Sequence, residues 1–420
     1  MAPIIALGVF ILGYILISLE SKVRVSKSAF ALSMGGILWI ILGIHDSTLV
    51  SQEITPVSYD IFNVVVFLLA AMSLVEILVH YRVFDVIRGK IFSYHLSDKK
   101  QFILLTFLAF VFSAIIDNLT TTIVMTVIAR QFFKGKNLLV AVVGVVIAAN
   151  AGGAFSPIGD VTTIMLWLAD KFSTYTIITS GFLPSLSLWV ASTFLLVRQI
   201  SESGDDAPEE IITNLTRSEK FVVGLVGFSF LLPIAARSVG LPPVLGILLG
   251  LGITWVVIDI LKILYKERTH MTASIDNLIQ KTDIASLKFF IGILLSVAAL
   301  NALGVLEFFS HLLYGGGESI FRVVSGNVAL GITSSFLDNI PLTAIAIDIL
   351  HIQSAEIWVL LAICVGTGGS LLALGSAAGV VAMGMVKELT FGQYFKIGFL
   401  PALIGFLISI CVWLLQYFLF

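Results

Sequence analysis

Apolar runs long enough to cross a bilayer recur from one end of this 420-residue chain to the other. In hydrocarbon, every backbone N–H and C=O must be paired inside the protein, which leaves few ways to fold. The runs approach or exceed the roughly 20 residues of a spanning helix. Composition agrees: 58% of residues are hydrophobic, only 12% are charged, and mean hydropathy is +1.06. Soluble domains carry about 25% charged residues. The expected fold is therefore an all-α polytopic membrane protein. A net charge of −2 offers nothing to a nucleic acid, and Cys364 and Cys411 lie singly in apolar runs, unlike a disulfide framework or metal site.

Spans are expected at about 3–19, 29–44, 61–80, 137–169, 178–197, 219–236, 241–261, 286–304, 356–387 and 397–417. Two further stretches, 101–135 and 323–350, are interrupted by polar residues and read as re-entrant hairpins. The first span has no basic leader, and its charges follow it in "ESKVRVSK". It reads as a retained helix with its N-terminus outside. With ten spans plus two hairpins, both termini lie outside. All of the 24 Lys and Arg residues except Lys171, Arg237 and Arg322 then fall on the cytoplasmic side, as the positive-inside rule requires. A hairpin that crossed fully would spoil this distribution. Segment 198–218 and segment 262–285 read as solvated connectors.

Polar landmarks repeat in order. "SAIIDNLTTT" (113–122) resembles "SSFLDNIPLT" (334–343) at an offset of 221 residues. "AGGAFSPIGD" (151–160) resembles "TGGSLLALGS" (367–376) at an offset of 216, and "YTIITSGFLP" and "QYFKIGFLP" both end in proline at an offset of 217. Asp85 and Glu307 fit an offset of 222. In the layout above, the first copy enters from outside and the second from inside, so the copies are inverted. The expected organisation is N-terminal peripheral spans (1–60), repeat one (61–200, hairpin 101–135, broken helix 137–169), a linker with two spans (201–285) and repeat two (286–420, hairpin 323–350, broken helix 356–387). Inverted repeats with broken helices meeting at mid-membrane characterise secondary transporters.

The breaks hold the chemistry. Gly152, Gly153, Pro157 and Gly159 interrupt the first long helix, and Gly368, Gly369 and Gly375 the second. Such backbone is tolerated at membrane depth only where it is buried in protein or faces an aqueous cavity. A carboxylate there costs at least roughly 2.5–3.5 kcal/mol, yet Asp117, Asp160 and Asp338 are all present. Around them stand Asn118, Thr120, Asn150, Thr162, Thr163, Ser334, Asn339 and Ser370. These are hard oxygen ligands suited to hard cations. A carboxylate that takes either a proton or an alkali cation exchanges one for the other. Asp160 faces only Ser376 in the second copy, which places more of the exchange near Asp160. Glu76, Asp259, Asp348, His80 and His95 read as interfacial or surface groups, and residues 58–60 as loop.

Read in order, "SAIIDNLTTT", "NAGGAFSPIGDVTT" and "SSFLDNIPLTA" resemble the NhaD-type sodium/proton antiporters of the ion transporter superfamily, which also contains arsenite and di/tricarboxylate permeases. The resemblance covers roughly residues 60–420. It implies exchange of Na⁺ or Li⁺ for H⁺ across a bacterial-type inner membrane, a homodimer, and a scaffold beside a moving region that holds both hairpins. It assigns function to Asp117, Asn118, Asn150, Asp160, Thr162, Thr163, Ser334, Asn339 and Ser370. No cofactor is implied. The alternative is an ion-coupled permease for carboxylates or oxyanions, but neither break carries a Lys or Arg to hold an anion. Enzymatic readings fare worse: "GGSLLALGS" lacks the lysine of a phosphate loop, and "IGD" lacks the partner motif of an intramembrane protease.

Overall fold

The computed structural model describes residues 1–18, 23–93, 96–202, 214–265, 268–314, 319–350 and 352–419. Residues 203–213 of the acidic connector and His95 lie outside the described residues. The described residues form helices joined by turns and short irregular segments, with no strand among them, and eight of the helices are long and apolar enough to cross a membrane. The fold is that of an all-α polytopic membrane protein.

Five helices open the chain: α1 (Ala2–Ser18), α2 (Lys27–His45), α3 (Ser47–His80), α4 (Val83–Ser93) and α5 (Asp98–Ser113). Then come α6 (Asn118–Phe132), α7 (Gly135–Gly153), α8 (Val161–Leu168) and α9 (Thr174–Leu196). The middle of the chain holds α10 (Arg217–Ser229), α11 (Leu232–Ser238), α12 (Pro243–Leu264), α13 (Arg268–Thr272), α14 (Ile275–Lys281) and α15 (Ile284–Ala302). The last part holds α16 (Val305–Tyr314), α17 (Ile320–Thr333), α18 (Asn339–Ile349), α19 (Ala355–Gly368), α20 (Ala377–Met385) and α21 (Phe391–Leu419).

One expectation needs correction. Residues 58–60 are not a loop but lie inside α3, a single 34-residue helix. Asp46 starts it by accepting from the backbone N–H groups of Thr48 (2.8 Å) and Leu49 (3.4 Å), a standard N-cap. Pro56 lies within the helix and removes one backbone donor without ending it. Asp60, read as loop, lines a cavity together with Glu53 and Asn63.

Two sets of helices pack together. In one, α2 lies against α1, α3 and α15, and α12 lies against α3, α10 and α11. In the other, α5 and α6 pack on α7, α17 packs on α19, and α9 packs on α21. The sets meet where α3 touches α8 and α15 touches α18. Residues Val140–Gly153 of α7 and Ile357–Gly368 of α19 are buried on every side. A helix apolar all round belongs at such a centre, and the α7 and α19 ends carry the two breaks.

Candidate functional site

Each hairpin turns between two arms and ends at an aspartate that caps the second arm. In the first, Asp117 accepts from the Thr120 N–H (2.7 Å), starting α6. In the second, Asp338 accepts from the Ile340 N–H (3.2 Å), starting α18. Helix N-termini carry partial positive charge and unpaired N–H groups, so a carboxylate there is partly compensated.

The asparagine that follows each aspartate points inward, and both reach Asp160. Asn118 donates from Nδ2 to Asp160 Oδ2 at 3.2 Å. Asn339 donates from Nδ2 to Oδ1 at 3.4 Å. Asp160 is 1% exposed and caps α8, accepting from the Thr162 N–H at 3.1 Å. Thr163 closes the cap, its Oγ1 accepting from the Asp160 N–H at 3.3 Å and donating to the Asp160 carbonyl at 2.8 Å. One buried carboxylate thus collects donors from both hairpins and its own helix end.

Asn150 extends the network to the second break. Its Oδ1 accepts from Asn118 at 3.0 Å, and its Nδ2 donates to Ser370 Oγ at 2.8 Å and Ser376 Oγ at 3.1 Å. The Ser370 carbonyl accepts from Tyr394 Oη of α21 at 2.8 Å. Thr162 is fully buried next to Asp160 at the start of α8.

Close backbone approaches hold the breaks against the hairpins. A Cβ on Gly152 would lie 2.0 Å from the Phe110 carbonyl oxygen, and one on Gly368 1.9 Å from that of Gly331. Gly159 and Gly375 approach the Ser113 and Ser334 carbonyls in the same way, at 2.5 and 1.8 Å. Ser113 Oγ donates to the Ala149 carbonyl (2.5 Å), and Ser334 Oγ to the Val365 carbonyl (2.8 Å). These contacts recur at the offsets of 221 and 216 residues read from the sequence.

Comparison with known proteins follows the same outline. A family described as "Citrate transporter" matches residues 14–366. Sodium/proton antiporter 2 of Arabidopsis thaliana is 37% identical over 424 residues, covering 96% of this chain and 97% of the relative. The Na⁺/H⁺ antiporter NhaD of Alkalimonas amylolytica is 31% identical, over 97% of this chain and 89% of its own length. NhaD of Vibrio cholerae is 30% identical, over 98% and 91%. The chain belongs to the NhaD-type antiporter family.

Within that family frame, the structure gathers Asp117, Asn118, Asp160, Asp338 and Asn339 around one cavity. Asn150 and Ser370 lie behind it, joined by hydrogen bonds. Ser334 is not brought to the cavity, because its hydroxyl is held by the Val365 carbonyl. The Thr120 contact given above runs through its backbone N–H.

Sequence reasoning missed Lys27. Read as one of many cytoplasmic charges, it lines this cavity and lies 3.9 Å from Asp338. Its position at the start of a span was a visible signal, but its partner was not. A second cavity, lined by Met72, Glu76, Arg82, Leu119, Lys281 and Asp283 among others, shares Met72 and Leu119 with the first. A third cavity lies at the other end of α8 and contains Glu53, Asp60, Asn63, Asn301 and Asp348. Asp348, expected to be interfacial, therefore faces other carboxylates, whereas Asp259 is exposed and paired with Lys262 at 2.7 Å.

Proposed function

We propose that the protein is a secondary transporter that exchanges Na⁺ or Li⁺ for H⁺ across a cytoplasmic membrane, with Asp160 as the shared binding group. The convergence of Asn118 and Asn339, one from each hairpin, on a 1%-exposed carboxylate carries this reading. With the site ionised, a cation takes oxygen ligands from Asp160 and nearby amide and hydroxyl groups. With Asp160 protonated, the charge is gone and the cation leaves. Only a neutralised carboxylate crosses a low-dielectric barrier cheaply, so loaded and protonated forms move while the empty, charged form does not.

In this reading the two halves are inverted repeats and the hairpin-bearing helices move against the set containing α2, α3 and α15. The membrane is a bacterial-type inner membrane, both termini are outside, and the protein works as a homodimer. The matched family's description keeps an anion permease in view. Three aspartates line the central cavity, against one lysine, and they disfavour an anionic cargo.

The test is Na⁺- or Li⁺-induced collapse of a preformed ΔpH in everted vesicles, for wild type and Asp160→Asn. Collapse in wild type and its loss in the variant is the expected result. Full exchange by Asp160→Asn would refute the proposed site. No response to either cation at any pH, in correctly inserted protein, would move the assignment to carboxylate or oxyanion uptake.

A further inference from the structure

Lys27 is the basic side chain among the described residues lining the central cavity, which it shares with Asp117, Asp160 and Asp338. It stands at the first turn of α2, after Ser26 caps the helix by accepting from the Ser28 N–H at 3.3 Å. Ser28 Oγ donates to the Ala285 carbonyl at 2.7 Å, so the base of this lysine is fixed to α15. Its ammonium lies 3.9 Å from Asp338 Oδ2 and 4.6 Å from the centre of the Phe289 ring. The side chains of Lys27 and Asp338 are 30% and 17% exposed.

This geometry is loose. An ammonium at 3.9 Å is beyond normal hydrogen-bond distance, and the ring on α15 attracts it as well. The cation is placed beside Asp338 without being locked to it. The contact also crosses the junction between helix sets, since α2 packs with α1, α3 and α15 while Asp338 caps α18 of the second hairpin. Among the described residues, Asp338 is the carboxylate the ammonium approaches, Asp117 and Asp160 line the same cavity, and Tyr14 of α1 lies near enough to feel the Asp338 charge.

We propose that Lys27 is a tethered counter-cation of the transport site, occupying the neighbourhood of Asp338 when the site is empty and competing with both Na⁺ and H⁺ for it. The proposal rests on the exchange reading above and adds a determinant of affinity to it. A cation entering the cavity repels the ammonium, which has the Phe289 face to retreat to. Release of the cargo lets it return. Lys27 therefore weakens binding of both substrates and keeps Asp338 from standing as an uncompensated charge between turnovers.

The sign of each effect follows. Without the ammonium, Na⁺ is held more tightly, and so are protons. At alkaline pH, where protons compete little, Lys27→Gln is expected to lower the half-saturating Na⁺ concentration by roughly five-fold, the order expected of a partly exposed charge pair. Tighter proton binding moves the acid limb of the exchange profile to higher pH. Lys27→Arg keeps the charge and is expected to stay near wild type in both respects. A purely structural role for Lys27 would change the amount of inserted protein without moving either readout.

The experiment measures Na⁺-driven proton movement in proteoliposomes against Na⁺ concentration and pH, for wild type, Lys27→Gln and Lys27→Arg. An unchanged half-saturating Na⁺ and pH profile in inserted Lys27→Gln would overturn the proposal. If that variant fails to insert, Asp338→Asn and the double variant Lys27→Gln/Asp338→Asn decide. With Asp338 neutral the group that Lys27 competes for is gone, so the double variant is expected to match Asp338→Asn in half-saturating Na⁺, and a further several-fold drop on removing Lys27 would overturn the proposal. Absence of exchange in wild type is a separate outcome, which removes the transport reading itself.

Discussion

Asn118 and Asn339 occupy matching places at the two hairpin tips but are unequal in the network. Asn118 bridges Asn150 and Asp160 at 3.0 and 3.2 Å, whereas Asn339 makes one longer contact of 3.4 Å to Asp160. A hydrogen bond to a charged group is worth about 1.5–3 kcal/mol. Asn118→Ala removes such a bond and also leaves the Asn150 Oδ1 short of a donor. It is expected to reduce apparent Na⁺ affinity by roughly ten-fold or more, and Asn339→Ala by less. Comparable losses in a Na⁺ titration of the two variants would contradict this ordering. The sequence made both asparagines and Asp160 visible, since polar groups in apolar runs stand out. It did not show that both amides meet one carboxylate, because that depends on how α6, α8 and α18 pack. Lys27 and Asp338 are more than 300 positions apart in the chain, so their pairing had no local signal at all.

At the scale of elements, the breaks were legible because glycine, proline and aspartate cannot sit together in an ordinary apolar helix. What they accommodate became clear only in three dimensions. Gly368 and Gly375 let the second break lie directly on hairpin backbone, with Cβ positions 1.9 and 1.8 Å from the Gly331 and Ser334 carbonyl oxygens. No side-chain rotation relieves an overlap with backbone, so the break has to shift. Gly368→Ala and Gly375→Ala are expected to lose stability by at least about 1–3 kcal/mol. The readout is the midpoint of thermal unfolding in detergent. Gly384→Ala is the control, as its Cβ would meet nothing within 4 Å and alanine favours the helix. A drop in the control as large as in the other two would remove the close-approach argument. Residues 58–60 were misread for the opposite reason: Asp60 looks like a loop residue until the cavity it shares with Glu53 is found beside α3. His270 was also hidden. It is fully buried, its ring between Tyr81 Oη and Ser218 Oγ at 2.9 Å each, fastening α13 to the ends of α3 and α10.

For the whole molecule, the relevant fact is that carboxylates gather in separate places. Asp117, Asp160 and Asp338 line the central cavity, and Glu53, Asp60 and Asp348 line another beyond the far end of α8. The second group spans both helix sets, since Glu53 and Asp60 lie on α3 and Asp348 on α18. Lys171 offsets part of this charge, being close enough to act on Asp348. A cleft lined by one sign of charge raises the local concentration of counter-ions, and the effect weakens as salt shortens the Debye length, from about 10 Å at 0.1 M to about 3 Å at 1 M. A cation approaching from this side meets these charges before it meets Asp160. The double substitution Glu53→Gln/Asp60→Asn is therefore expected to raise the half-saturating Na⁺ only for cation presented to that face. The increase should be roughly two- to five-fold at low ionic strength and should fade when a non-transported salt is added. Maximal exchange should stay near wild type, because neither residue touches Asp160. Right-side-out and everted vesicles of the same preparation separate the two faces. An equal effect in both, or one that persists in high salt, would mean these carboxylates act on the structure of α3 instead of on the approaching ion.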